Sequence, residues 1–327
     1  WEEGKFLLDD PVSKYLPAFG APTVLTSFNP TDSTYTSRPA NGPITIRHLL
    51  THTSGLIYQL PYMGDPNLAA IYHKAGIPAI LGAPGATTKE KMQELAKLPL
   101  LHDPGTTFTY GLSTDLLGCL VELWSGQDLE TFFHQRIFRP LQMNDTYFNL
   151  PAEKVARLIS IYQPSADDKL VKSTKVFDGA PANYPAVHHS YLSGGGGLSS
   201  TTADYSKFLQ MLLRKGSYKD GQLLSPSTVS MMLTNQLTEK VGTSPNPPMP
   251  ENFQFGLGFA LETDQNDYLQ PLQKGSFSWD GAAATYYWVD PKEDLIALFY
   301  TQEFGTPKWS YYQQMFRVLT YQALVTD

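Results

Sequence analysis

The chain is short of cysteine, of charge and of long apolar runs, and each shortage closes a class of function. Cys119 is the only cysteine, which excludes an intramolecular disulfide and any cysteine-based zinc cage. Charged residues make up 17%, below the ~25% of an average soluble domain, while apolar residues reach 42%, so much of the chain can be interior. The 24 Lys and Arg against 31 Asp and Glu leave a net charge of −7 with no basic run, and nucleic acid or an anionic membrane surface is a poor partner for it. The longest apolar stretches, such as Leu295 to Tyr300, fall far short of the ~18–20 residues of a membrane-spanning helix. Neither an internal repeat nor a low-complexity tract is present. The length of 327 residues suits two domains, or one large domain with an insertion.

Punctuation and periodicity divide what is there. The opening WEEGKFLLDDPV reads as the last turn of a helix with Gly4 just past it, which sets the expectation that the helix starts in sequence before Trp1. Leu7 to about Leu60 is loop-like until ITIRHLLTHTSGL, where Thr45 caps a short helix with Ile46, Leu49 and Leu50 on one face and Gly55 as its stop. A weakly helical stretch covers Asp65 to Leu101. Leu116, Leu117, Leu120, Val121 and Trp124 keep a 3.6-residue beat until Gly126, and a second helix runs from Leu129 to Phe138, ending before Pro140. Residues 151–190 read as irregular or hairpin-like. SGGGGLSSTTADYSKFLQMLLRKG gives a glycine turn, a cap at Ser200 or Thr201, and an amphipathic helix ended by Gly216. Another short helix follows in DGQLLSPSTVSMMLTNQ, and VGTSPNPPMPEN reads as an extended loop. Three strand-like runs (FGLGFALET, SFSWDGAAATYYWVDP, DLIALFYTQ) precede a terminal helix over Pro307 to Val325. Strands late, helices in the middle and no β-α-β alternation indicate an α+β fold, an antiparallel sheet packed against helices.

Motifs for chemistry are scarce. Neither Gly-x-Ser-x-Gly nor a Walker loop occurs, and the run Gly194 to Gly197 reads as a tight turn letting two backbones approach. His48 and His52, four apart on one helical face, could present two imidazoles, but without the Glu of His-Glu-x-x-His or a third ligand they read as a structural pair. His188 and His189 are treated alike. No metal and no cofactor is expected.

In order along the chain, EEGKFLLDDPVSKYLPAF, ITIRHLLTHTSGL, FTYGLSTDLLGCLVELWSGQDLETFFHQRIFRPLQMNDTYF, SGGGGLSSTTADYSKFLQMLL and FGLGFALET with SWDGAAATYYWVDP and LIALFYTQ resemble the class C β-lactamase-like serine hydrolases. That group includes penicillin-binding-protein-like peptidases, family VIII carboxylesterases and lovastatin-type acyltransferases. The resemblance spans nearly the whole chain and implies a β-lactamase/penicillin-binding-protein-like fold with an antiparallel sheet flanked by helices plus a mainly helical lobe. By that layout residues 1–60 belong to the α/β lobe and cross to the helical lobe, 61–190 form the mainly helical lobe, and 191–327 return to the α/β lobe.

Such sites combine Ser-x-x-Lys at a helix start, a tyrosine loop, and Lys-Thr-Gly or a variant on an edge strand, because a serine hydroxyl needs a neighbouring base and the oxyanion needs backbone N–H donors. Tyr110 in FTYGLS matches the tyrosine that relays the proton. Trp279-Asp280-Gly281-Ala282 matches the third element, which makes the Ala282 N–H an oxyanion donor and Trp279, Asp280 and Gly281 substrate-facing. Two departures stand out. Leu112 occupies the substrate-binding position where lactamases carry an amide side chain, which weakens the case for β-lactam or peptide hydrolysis. Asp280 replaces a small residue, and there it pairs with the motif lysine or favours a cationic substrate.

No Ser in residues 1–327 is followed three positions later by Lys. The resemblance puts that motif about four helical turns before EEGK, so the nucleophile helix and the first strands of the sheet are expected to precede Trp1. The implied function is a serine hydrolase that acts through an acyl-enzyme on a small-molecule ester or amide, carboxylic esters first and β-lactams second. An acyltransferase to an alcohol acceptor and an inactive binding or scaffold homologue are the alternatives. Family resemblance favours an exported or periplasmic location; the oligomeric state is not legible.

Overall fold

The structure is a computed structural model and describes residues 1–60, 63–82, 85–167, 169–219, 221–239, 241–244, 249–250 and 252–324. Its elements begin with β1 (Thr23–Asn29), β2 (Thr34–Pro39), α1 (Ile46–Leu50), α2 (Pro66–Lys74), α3 (Thr88–Leu95), β3 (Thr107–Phe108), α4 (Ser113–Ser125), α5 (Leu129–Phe133) and the single turn α6 (Arg139–Leu141). There follow β4 (Tyr162–Pro164), β5 (Leu170–Lys172), α7 (Thr202–Leu213), β6 (Ser217–Tyr218), β7 (Gly221–Gln222), α8 (Pro226–Met232) and β8 (Gly242–Thr243). The order is completed by β9 (Ala260–Leu261), β10 (Phe277–Gly281), β11 (Thr285–Asp290), β12 (Leu295–Tyr300) and α9 (Trp309–Gln322). Among the described residues no helix is long and apolar enough to cross a membrane.

Two compact units are interleaved along the chain: Trp1–Arg136, His188–Leu198 and Gln236–Pro250 in one, Ile137–Val187, Ser199–Asn235 and Glu251–Asp327 in the other. These units do not coincide with contiguous blocks divided at 60 and 190, because two later segments return to the first unit. Gly194 packs on the backbone of α4, and β8 pairs in parallel with β3.

In the first unit α1, α3 and α5 all pack on α4. Leu116, Cys119 and Leu120 bury one stripe of that helix, and Gly126 stops it at φ +69. Trp124 at its end stacks on Phe6 at 4.4 Å and meets the edge of Tyr15 at 5.2 Å, which docks the start of the chain. Thr45 caps α1 as read from the sequence, and His48 completes a capping box with it. The helix ends at Leu50 rather than running on to Gly55. Thr51 Oγ1 donates to the Arg47 carbonyl at 2.8 Å, and His52 adopts φ +51, outside any helix. His48 and His52 therefore do not share a helical face, and among the described residues no group of three His, Cys, Asp or Glu could hold a metal ion.

The hairpin β1–β2 was read as loop. Its strands are mostly exposed on both faces, with hydroxyl bonds such as Thr26 to Thr36 at 2.7 Å, so no apolar alternation announces it. The helix expected over Leu129 to Phe138 is α5 followed by a wider π-helical turn, His134–Phe138, and Pro140 is accommodated in the first turn of α6. Of the expected extended loop VGTSPNPPMPEN, residues 245–248 and 251 lie outside the described residues, and its start forms β8.

The second unit is built on a four-stranded antiparallel sheet ordered β12-β11-β10-β9. The run SFSWDGAAATYYWVDP is two strands rather than one, turning at Ala284 with φ +56. Alternation along β11 decides what covers each face. Tyr286 and Trp288, with Ala297, join Trp309, Phe316 and Tyr321 of α9 in one cluster, while Tyr287 meets Tyr205 of α7 at 5.3 Å on the other face. Trp288 is wholly buried, and its ring lies 5.1 Å from Phe316 and 6.2 Å from Tyr321. Burying such a ring contributes several kcal/mol, on the scale of ~3–5 kcal/mol for truncation to alanine. The α+β, antiparallel-sheet architecture is the one the sequence implies.

Candidate active site

Tyr110 lies between β3 and α4, and the backbone on either side of it is tied to one residue. The Thr109 N–H donates to the His52 carbonyl at 2.7 Å, and the Gly111 N–H donates to His52 Nδ1 at 3.4 Å. The His52 ring stands 4.6 Å from the Tyr110 ring, and Tyr58 meets Tyr110 edge-on at 5.2 Å. Burial pushes the His52 imidazole down to about 3, so it is neutral at physiological pH and Nδ1 can accept from Gly111. A Cβ on Gly111 would stand 2.2 Å from the Leu56 carbonyl oxygen, so the loop can run this close to the chain only with glycine there.

Hydroxyl groups continue inward from Tyr110. The Tyr58 hydroxyl is hydrogen-bonded to Tyr110 and lies 3.3 Å from Thr114 Oγ1, and burial holds its pKa well above the usual 10. Tyr191 donates to the buried carboxylate of Asp115 at 3.2 Å. Over this cluster lies the glycine run, as the reading of a close backbone approach requires. A Cβ at Gly194 would meet the Thr114 carbonyl oxygen at 2.2 Å, and one at Gly195 the Tyr58 hydroxyl at 2.1 Å. Ser54 and Ser113 share a 2.8 Å hydroxyl hydrogen bond and neither has any exposed surface, so neither is presented to a ligand.

Leu112 takes the N-cap position of α4 and is wholly buried. The side chain fills core, and no amide group stands there.

The remaining residues picked from sequence sit in the second unit, at the end of β10. Trp279 pairs with Tyr287 and Asp280 with Tyr286, so Trp279 shares the α7 face of the sheet and Asp280 the α9 face. Trp279 packs edge-on against Phe255 at 5.2 Å. Asp280 Oδ2 accepts from Gln313 Nε2 at 3.1 Å and from Trp309 Nε1 at 3.4 Å, both on α9. Neighbours on a strand point to opposite faces, and Asp280 points at the helix. Among the described residues β9 pairs with β10 at Phe277 and Ser278. Gly281 lies at the end of β10, against Thr285, and Ala282 is exposed in the turn beyond it.

The Beta-lactamase family model matches residues 1–318. The chain belongs to that family. A Mycobacterium tuberculosis relative of uncharacterized role is 33% identical over 307 residues, covering 92% of this chain and 72% of its own. The monacolin J acid methylbutanoyltransferase of Aspergillus terreus is 32% identical over 324 residues, with the same 92% and 72% coverage. Among solved structures, EstCE1, a hydrolase with promiscuous acyltransferase activity, superposes with a TM-score of 0.78 at 25% identity over 98% of this chain and 79% of that one. The Beta-lactamase fold thus holds acyltransferases and esterases among this chain's relatives.

The sequence reads His52 as half of a structural pair with His48 and does not single out Tyr58. The signal for both was within THTSGLIY, but treating His52 as helical assigned its ring to the wrong surroundings. Its ring and carbonyl both turn to the Tyr110 loop from a backbone with positive φ, a tertiary consequence that the sequence does not display.

Proposed function

We propose that the protein transfers acyl groups from carboxylic esters through an acyl-serine intermediate, to water and to alcohol acceptors. In acylation a serine oxygen bonds to the ester carbonyl carbon, the C–O bond to the leaving alcohol breaks, and the serine proton passes through the Tyr110 phenol to that alcohol. Deacylation repeats the exchange with water or a second alcohol as the incoming group. The serine and its lysine partner belong to a Ser-x-x-Lys motif that residues 1–327 do not contain. The Ala282 N–H serves as an oxyanion donor just past the end of β10, with Gly281 beside it and Trp279 as an apolar wall.

One observation carries this reading: a half-buried tyrosine, hydrogen-bonded to a second phenol and flanked by a neutral imidazole, lies just before α4, where the family's tyrosine loop stands. Support for acyl transfer beside hydrolysis comes from the Aspergillus terreus methylbutanoyltransferase and from EstCE1, a hydrolase with promiscuous acyltransferase activity.

Side-by-side kinetics with p-nitrophenyl butyrate and nitrocefin, then with an alcohol added to the ester reaction, test the proposal. The expected result is a higher kcat/KM for the ester and a transesterified product detected by mass. A higher value for nitrocefin overturns the ester preference. Turnover of neither substrate, with no adduct from a fluorophosphonate probe, supports the inactive-homologue reading instead. A stoichiometric adduct on a serine within residues 1–327 overturns the assignment of the nucleophile.

A further inference from the structure

We infer that His52 is a positioning residue for Tyr110, holding the loop by accepting hydrogen bonds from the residues immediately before and after it; this rests on the proposed role of Tyr110. Three independent contacts converge on the one tyrosine. The His52 carbonyl takes the Thr109 N–H at 2.7 Å, His52 Nδ1 takes the Gly111 N–H at 3.4 Å, and the ring itself lies 4.6 Å from the phenol ring. His52 holds these contacts with a positive φ of +51 while 2% exposed. A non-glycine residue in that conformation is strained, and it persists where surrounding structure holds it. Phe108, 6.0 Å from the ring on the preceding strand, keeps His52 from swinging away.

Chemistry explains why an imidazole is used. An acceptor is needed for the Gly111 N–H, and it must lie in the plane of a flat ring so that its face remains available to Tyr110. A carboxylate would bring a buried negative charge beside a phenol that must shed and regain a proton. Neutral imidazole supplies the acceptor without that charge. Its burial keeps it neutral across the working pH range, so it takes no proton from the reaction. Tyr58, bonded to the Tyr110 hydroxyl, fixes the far end of the same ring, so the two residues act on different atoms: His52 on the backbone, Tyr58 on the oxygen.

A kinetic cycle tests the inference in the full-length protein, measuring kcat and KM for p-nitrophenyl butyrate with Tm recorded for each variant. His52→Leu removes the Nδ1 acceptor and is expected to lower kcat about tenfold to a hundredfold with KM little changed, the scale of a reacting group displaced by about 1 Å. In a Tyr110→Phe background the same substitution is expected to lower kcat by less than about twofold, because the group it positions is gone. His52→Asn, which tolerates positive φ and offers Oδ1 to the Gly111 N–H, is expected to recover most of the wild-type kcat. Equal losses from His52→Leu in both backgrounds overturn the inference, as does His52→Asn no better than His52→Leu. Should His52→Leu fail to fold, His52→Ala runs the same cycle. Failure of the underlying reading shows differently: Tyr110→Phe alone would then retain near-normal kcat.

Discussion

The surroundings of Tyr110 and the sheet that carries Trp279 are built on opposite plans. Around Tyr110 the chain uses glycine, hydroxyl groups and neutral imidazole, with backbones brought so close that Gly111, Gly194 and Gly195 have no room for a methyl group. Around β10 and β11 it uses large rings: Trp279 on Phe255, Tyr287 on Tyr205, and Trp288 against Phe316 and Tyr321. Close backbone approach fixes position to a fraction of an ångström, whereas ring packing fills volume and adjusts by rotation. A group that relays a proton needs the first kind of support, and an apolar wall needs only the second. Substitutions should therefore act through catalysis and folding in the first region and mainly through stability in the second.

The largest expected effect is on turnover, from Tyr110→Phe. The ring and its contacts with His52 and Tyr58 remain while the only group that can carry a proton is deleted. General acid–base assistance is worth ~10²–10⁴-fold, or roughly 3–5.5 kcal/mol of barrier. Ester kcat should fall at least about a hundredfold with Tm nearly unchanged. A mutant keeping more than about a third of wild-type kcat would make Tyr110 a structural residue, whose lost hydrogen bond costs about 1 kcal/mol of stability.

Next comes Gly194→Ala, in the same region but through packing. The new methyl would meet the Thr114 carbonyl oxygen at 2.2 Å, and that oxygen belongs to the first turn of α4 and cannot rotate aside. Overpacking of this kind costs about 1–3 kcal/mol, and chemical denaturation should show a loss in that range together with reduced kcat, since the turn that moves carries Thr114 beneath Tyr58. Unchanged stability would mean that the glycine run is not held against α4.

These regions also differed in how far the sequence could be read. The sheet was legible in outline because β11 and β12 carry the β-branched and aromatic residues that strands favour, and α4 and α7 because their apolar periodicity and caps agree. Tyr110 and the Trp279 segment came from family resemblance, and the structure adds their surroundings. What was not legible depends on tertiary contact. The hairpin β1–β2 hides because its side chains are polar on both faces. The face of the sheet that Asp280 takes was hidden too, because a motif is one-dimensional and does not say which face of a strand each residue takes. Glu262 drew no notice at all, since nothing local marks a glutamate that will be 3% exposed.

Glu262 provides a smaller, pH-dependent test of the second region. Its Oε2 accepts from Gln270, which in turn is bonded to Arg317, while Oε1 has no hydrogen-bond partner among the described residues, and burial raises its pKa from the ordinary 4.5 to about 7. A carboxyl raised on folding stabilises the native state fully below its unfolded value, and that contribution is lost as pH rises through about 7. Glu262→Gln should therefore match the wild type near pH 4.5 and gain on it by pH 8, by about 2–4 °C of Tm for each kcal/mol relieved. Activity at a fixed temperature well below Tm should not change. Equal pH dependence of Tm in the two proteins would show that the carboxyl is hydrated in solution.

The smallest effect is expected from Asp280→Asn, and its smallness is informative. If Asp280 selected cationic substrates, removing its charge would lower kcat/KM for an aminoalkyl ester relative to a neutral ester of the same acyl chain. The strand geometry predicts otherwise, because Asp280 shares the α9 face with Tyr286 while Trp279 faces α7. Asn retains an oxygen that can accept from Trp309 Nε1 and Gln313 Nε2, so the contact with the terminal helix survives in weaker form. Hydrogen bonds to a charged acceptor contribute about 1 kcal/mol more than neutral ones, and exposure reduces this further, so Tm should drop by no more than about 2–4 °C. The ratio of specificity constants for the two esters should stay within about twofold of wild type, since no charge near the reacting carbonyl has been altered. A tenfold fall in that ratio would put the carboxylate at the substrate after all, and the sheet would then have to present both faces of β10 to the site.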